Sequence, residues 1–233
     1  MNNIVIIPAR LESVRLPNKL LLEETGKPLI LHTVDAAKKY FDNVVVATED
    51  KEIYEACHKY IDVVLTGKYD SGTARIAAIA ATYDWGVLVN WQGDEPELDG
   101  QYVQDMLVDF DDPNIDIVTL AARATPEEYN SPDVVKVVVT HENIAMYFSR
   151  CPIPHNGQSV ALKHIGIYAF RREFLLAFPS LEIDQYACER LEQLNWLQSG
   201  FRIKVCIRHI ETAGIDTREE YDGFCLRQAS KKA

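Results

Sequence analysis

The chain has 233 residues, with 24 Lys and Arg against 35 Asp and Glu, giving a formal net charge of −11 at pH 7. Its 47% hydrophobic and 25% charged residues exclude a disordered or collagen-like polymer, and the length is ample for a buried core. So acidic a chain repels nucleic acid and anionic membrane at long range, so a polyanionic ligand must be captured by a local island of positive charge.

Met1-Asn2-Asn3 runs directly into Ile4–Ile7 without a basic segment or cleavage site, which reads as a first strand rather than a signal peptide. Val44–Ala47 and Val87–Asn90 are likewise continuously apolar, as strands covered on both faces are. Between them Leu29–Tyr40, Lys51–Lys59 and Thr73–Thr82 have helical length. In the first of these, Leu29, Val34, Ala37 and Tyr40 share a face while Lys38 and Lys39 point outward. This alternation predicts an α/β fold, a doubly wound and mostly parallel sheet that gathers its ligands at the carboxyl ends of the strands.

The second half is less regular. Val134–Thr140 and Ile144–Phe148 are β-rich runs around His141-Glu142-Asn143, which predicts a β-hairpin. Ile165–Phe170 and Lys204–Ile207 read as further strands, and a long helix is expected around Cys188–Ser199, stopped by Gly200. The last helix should begin after Asp216-Thr217. Without a Gly-, Ser- or Pro-rich linker or a repeat, residues 1–233 are expected to form a single domain with a hairpin elaboration. Five scattered cysteines without C-x-x-C spacing argue against zinc and disulfides and favour a reducing compartment. No apolar run has the length to span a bilayer, so no membrane partner is expected.

The basic island lies right after the first strand. Ile6-Ile7-Pro8-Ala9-Arg10-Leu11-Glu12-Ser13-Val14-Arg15-Leu16-Pro17-Asn18-Lys19 carries Arg10, Arg15 and Lys19 against Glu12 alone. Guanidinium forks and a compact ammonium suit the oxygens of a polyphosphate. The loop has no glycine, so it is neither a Walker loop nor a dinucleotide fingerprint. A second constellation, Asn90-Trp91-Gln92-Gly93-Asp94-Glu95-Pro96, leaves another predicted central strand and should emerge at the same sheet edge. A carboxylate such as Asp94 beside a triphosphate is a natural magnesium ligand, although Gly-Asp and Glu-Pro also simply turn chains. Ser71-Gly72-Thr73-Ala74-Arg75 allows close backbone approach to a nucleoside, or equally a plain helix cap. His164, Tyr168, Glu192, Gln193 and Asp216 could surround a polyhydroxylated acid. Each also has an ordinary use, Tyr168 in a core strand, Glu192 and Gln193 on a helix surface, and Asp216 as a cap.

Taken in order, PAR-x-x-S-x-RLP-x-K, VAT followed by an acid, SGT-x-R, QGDEP, VVKVV, YFSR, HIGIY, LEQL and GIDT cover nearly the whole chain. This series resembles the 3-deoxy-manno-octulosonate (Kdo) cytidylyltransferase family. The resemblance implies transfer of CMP from CTP to the anomeric 2-hydroxyl of a 2-keto sugar acid, dependence on Mg2+, a homodimer and a cytoplasmic enzyme of lipopolysaccharide or capsule synthesis. By position it implies that Ala9, Arg10, Ser13, Arg15, Lys19, Ser71, Arg75 and Gln92 hold CTP, and that Arg150, His164, Tyr168, Glu192 and Gln193 take the sugar. Asp94 and Asp216 are implied as the metal ligands, with Arg10, Lys19, Asp94 and Asp216 central to catalysis.

Three departures bear on the sugar and on the dimer. Lys68-Tyr69-Asp70 precedes Ser71 where relatives carry a histidine, the His155–Leu162 link is short, and LEQL continues into Asn195 without an arginine. An 8-amino-Kdo or another ulosonic acid is the alternative acceptor. A catalytically inactive nucleotide- or sugar-binding regulator is the alternative from a different class.

Overall fold

A computed structural model describes residues 2–181, 187–210 and 214–232. The chain gathers into two compact units, Met1–Gly100 with Thr212–Ala233, and Gln101–Glu211.

The first unit holds β1 (Asn3–Ala9), α1 (Leu29–Lys38), β2 (Val44–Thr48), α2 (Lys51–Cys57), β3 (Asp62–Leu65), α3 (Gly72–Ala80) and β4 (Val87–Asn90). All its strand pairings are parallel, in the order β3-β2-β1-β4. β1 is central and fully buried beyond its first residue, which is why its sequence is continuously apolar rather than alternating. Strand order reverses between β1 and β4, and at such a switch point the loops leaving two adjacent strands diverge and open a crevice at their carboxyl ends. The loops that open here are the basic segment after Ala9 and the Gln92-Gly93-Asp94 turn after Asn90.

A cluster of Leu16, Leu29, Ile215, Tyr221 and Phe224 ties the basic loop to α1 and to the C-terminal helix, Arg218–Lys232. That helix starts with a reciprocal cap. Glu220 N–H donates to Thr217 Oγ1 at 3.3 Å, and Glu220 Oε2 accepts from the Thr217 and Asp216 N–H groups at 2.8 and 2.7 Å. Thr217 therefore does the capping, and the Asp216 carboxylate is released from that role.

The second unit contains α4 (Gly100–Val108), β5 (Ile117–Arg123), α5 (Pro126–Asn130), β6 (Lys136–Val139), β7 (Ala145–Ser149), β8 (Leu162–Arg171), α6 (Arg172–Ala177), α7 (Glu192–Gln198) and β9 (Ile203–Ile207). β5 lies between antiparallel β8 and parallel β9. β6 and β7 form the expected hairpin, turned by Asn143 at φ 58°, and β6 also pairs with β8. The core here is aromatic, with Phe170, Phe174 and Trp196 in mutual ring contact.

The long helix expected over Cys188–Ser199 is a correction. Ala187–Glu189 forms a single tight turn, Arg190 takes φ 52°, and a regular helix runs only over Glu192–Gln198. A left-handed residue breaks the i→i−4 ladder, so the helix has to restart after it. Gly200, at φ 85°, stops the chain where expected.

One irregularity shapes the sugar-side motif. Thr119 of β5 faces Tyr168 of β8, whereas Leu120 faces Ile165. One step along β5 therefore corresponds to three along β8, and Gly166 and Ile167 bulge out of the ladder.

Candidate active site

The crevice in the first unit has a volume of about 310 Å³ and is lined by Arg10, Glu12, Ser13, Arg15, Lys19, Gln92, Asp94 and Asp216 among others. Residues far apart in sequence meet in it because β1 and β4 are neighbours and Ile215 N–H donates to the Asp94 carbonyl at 2.9 Å. That bond brings the segment before the last helix onto the β4 turn. Gly214 permits the approach, since a Cβ there would lie 3.1 Å from Glu95 Oε1.

Lys19 Nζ bonds both Asp94 Oδ2 and Asp216 Oδ1, the latter at 2.8 Å. Burial opposes the ammonium charge, but the two carboxylates outweigh it and hold the Lys19 pKa above its ordinary value. Arg15 adds a second cation, 2.5 Å from Asp216 Oδ2. Glu95 lies behind these groups. Its carboxyl is pushed up to about 8 by burial and by the charges of Asp94 and Asp216, with Lys19 acting in the opposite direction.

Asp94 and Asp216 thus reach one cationic point from two separate segments. Two converging carboxylates suit a hard divalent cation that replaces the ammonium between them and completes its shell with water and phosphate oxygens.

Two supports of this crevice were not singled out from the sequence. Thr33 Oγ1, fully buried on α1, donates to the Gly93 carbonyl at 2.8 Å and fixes the turn that carries Asp94. Asp50 Oδ2 accepts from Leu11 N–H at 2.8 Å and anchors the start of the basic loop. The acid that follows VAT is Glu49, so Asp50 was signalled only as its neighbour, whereas Thr33 looks like any helical threonine.

The remaining nucleotide-side candidates divide. Ala9 is buried at the end of β1. Ser71 accepts from Ala74 N–H at 3.2 Å, the ordinary N-cap of α3. Gly72 stands close to Gln92, its ideal Cβ position 3.7 Å from Nε2, so the α3 N-terminus borders the crevice wall. Arg75 is buried at 2% exposure, donating to Thr66 Oγ1 and paired with Glu49 at 3.5 Å.

The sugar-side candidates all lie in the second unit. The His164 and Tyr168 rings are 5.2 Å apart, although four extended residues span roughly 13 Å. The β8 bulge draws them together. Tyr168 is buried against Trp196, and desolvation followed by the nearby Glu192 charge raises its hydroxyl pKa well above the ordinary range. Glu192 opens α7 and Gln193 is buried beside it. Arg150 is drawn aside, its guanidinium donating to the Pro132 carbonyl at 3.0 Å and its N–H to Glu189 at 2.9 Å.

Desolvation pushes His164 down from 6.5 to about 3. The folded state therefore keeps it neutral, while an unfolded chain takes up a proton below its ordinary pKa. The stability it contributes is full above that pKa and falls as pH drops toward about 3, by at most about 1.4 kcal/mol per pH unit. The stability gap between wild type and His164→Gln should accordingly narrow from about pH 7 to about pH 5. Urea unfolding at both values measures it, and a constant gap would refute the neutral, desolvated imidazole.

A cytidylyltransferase family model matches residues 4–205. The 3-deoxy-manno-octulosonate cytidylyltransferase of Solibacter usitatus (strain Ellin6076) is 36% identical over 228 residues, covering 93% of this chain and 90% of the relative. The chain belongs to the 3-deoxy-manno-octulosonate cytidylyltransferase family. The member from Acinetobacter baumannii (strain SDF) is 38% identical, with 94% of each chain covered. A solved structure of CMP:2-keto-3-deoxy-manno-octonic acid synthetase complexed with CTP superposes with a TM-score of 0.93 at 33% identity, over 99% of this chain and 100% of that one. The 4-diphosphocytidyl-2C-methyl-D-erythritol synthase of Anaerococcus prevotii, 11% identical with a TM-score of 0.66 over 100% of this chain and 99% of that one, shares the fold alone. No helix among the described residues of this cytidylyltransferase family member is long and apolar enough to cross a membrane.

Proposed function

We propose that the chain is a nucleotidyltransferase that transfers CMP from CTP to the 2-hydroxyl of Kdo, releasing pyrophosphate. The observation that carries this is the convergence of Lys19, Asp94 and Asp216 at the mouth of the β1–β4 crevice, in a chain whose relatives bear that name. A family match over 4–205 crosses both compact units, which supports residues 1–233 acting as one cytidylyltransferase domain.

In this reading Arg10, Ser13, Arg15 and Lys19 bind the triphosphate, and Gln92 borders the nucleoside. Displacement at the α-phosphorus needs no covalent protein intermediate, so positioning and charge neutralisation supply most of the rate. Arg10 and Lys19 stabilise the charge that develops on the departing pyrophosphate. Asp94 and Asp216 would hold magnesium, which when bound supplies neutralisation of phosphate oxygens and acidification of a coordinated hydroxyl. His164, Tyr168, Glu192 and Gln193 orient the sugar acid. The chain acts in this reading as a cytoplasmic homodimer serving lipopolysaccharide or capsule synthesis.

Pyrophosphate release with CTP or UTP against Kdo, 8-amino-Kdo and sialic acid tests the proposal. Turnover should require CTP and favour Kdo. A preference for the amino sugar replaces the acceptor and keeps the mechanism, while no turnover with any acid removes the function.

A further inference from the structure

Thr119 lies on β5 opposite the β8 bulge, and its Oγ1 is 2.7 Å from the Ile167 carbonyl oxygen, 3.3 Å from that of Ile165 and 2.9 Å from His164 Nε2. A hydroxyl has one proton to give. A carbonyl oxygen can only accept, so the short contact with Ile167 uses that proton. At the remaining contact Thr119 has to accept, and His164 Nε2 has to donate. The neutral imidazole is then the Nε2–H tautomer, and Nδ1 carries the lone pair.

We propose that Thr119 is a positioning residue for the sugar acid, fixing His164 as the Nε2–H tautomer so that Nδ1 accepts a hydrogen bond from a hydroxyl of the polyol. This rests on the sugar-side role given to His164 above.

Three further observations point the same way. Among the described residues Thr119 is the hydrogen-bond partner of the His164 ring, which also makes ring contacts with Phe148 and Tyr168. Nδ1 is thus left for a ligand, and His164 is only partly shielded from solvent. Gly166 of the same bulge is exposed, and a Cβ there would meet nothing within 4 Å. Neither packing nor backbone strain calls for glycine at this position, and it leaves open space on the exposed side of the bulge that follows His164. The desolvation that keeps His164 neutral also prevents Nδ1 from gaining a proton near neutral pH.

The test combines a spectroscopic and a kinetic readout. Protein labelled with ¹⁵N-histidine should show His164, assigned by loss of its signals in His164→Gln, as a single Nε2–H tautomer in the wild type. Thr119→Val removes the acceptor while keeping the shape. It should mix the tautomers and raise KM for Kdo about tenfold, as expected for one lost hydrogen bond, with KM for CTP within about twofold. Thr119→Ser keeps the hydroxyl and should restore both readouts.

A wild-type His164 protonated on Nδ1, or present as a mixture, overturns the proposal whether or not the valine variant folds. So does a valine variant with altered tautomers and an unchanged KM for Kdo. If wild type turns over no sugar acid, the acceptor role falls with the proposed function even where the tautomer is as stated.

Discussion

Asp94→Asn and Asp216→Asn should each reduce turnover at saturating magnesium by about a thousandfold or more, while melting temperature falls only modestly. Losing a carboxylate that holds a catalytic cation costs several kcal/mol of transition-state stabilisation, and about 1.4 kcal/mol is a factor of ten in rate. The fold should survive, because each substitution removes one of the two carboxylates that pair with Lys19 and leaves the other in place, while the backbone of both segments is fixed by other groups. The turn carrying Asp94 is held through backbone groups, by Thr33 on the Gly93 carbonyl and by Ile215 on the Asp94 carbonyl. The last helix is capped by Thr217 and Glu220, leaving the Asp216 side chain out of that job. Removing one negative charge also relieves the crowding that raises the Glu95 pKa. Pyrophosphate release and thermal melting of the two variants decide the matter. Near-native turnover by either variant would sink the metal assignment, and a collapse of melting temperature would return that aspartate to a structural role.

The parts of this site that were legible in the sequence share one property. They belong to strands buried on both faces, whose apolar runs announce themselves, and to the loops directly after them. β1 and β4 were readable for that reason, and a parallel sheet then forces their carboxyl-end loops to the same edge. β3 (Asp62–Leu65) was not, because it is short and partly exposed and its four residues carry little pattern. β5 is buried over six of its seven residues, yet its alanines and leucine serve helices as readily as strands. The break at Arg190 was illegible for a different reason, since nothing local marks an arginine that will take a left-handed conformation.

Side-chain destinations were less accessible still. Arg10, Arg15 and Arg75 look alike as letters, but the first two are exposed on the crevice loop while Arg75 is buried against Thr66 and Glu49. Residue type indicated that a phosphate could be bound. Only the packing of α3 on the sheet determines which guanidinium remains available to bind it. Thr119 is the extreme case, because its contacts with His164 and the Ile167 carbonyl arise from a bulge on another strand.

Lys19→Ala should lower turnover by on the order of tenfold to a thousandfold, the range for a single electrostatic contact at a reacting centre, and it should also change how the protein responds to magnesium. Without substrate, the Lys19 ammonium already sits on both Asp94 and Asp216, and Arg15 reinforces it. A divalent cation approaching the same carboxylates has to compete with that internal charge, so magnesium alone should stabilise the wild type only slightly. In the alanine variant the two aspartates lose their shared ammonium, and Arg15 remains paired with Asp216. Its melting temperature in chelator should fall below that of the wild type, and magnesium should recover much of the loss, because a ligand that binds only the folded state stabilises it by mass action. Melting curves of both proteins with chelator and over a magnesium series measure the difference. Equal magnesium-induced shifts would mean that Lys19 and the metal do not share those carboxylates. A larger shift in the variant means that the lysine holds the site in register until nucleotide brings its phosphates, at which point its ammonium can pass from the aspartates to the oxygens that need it.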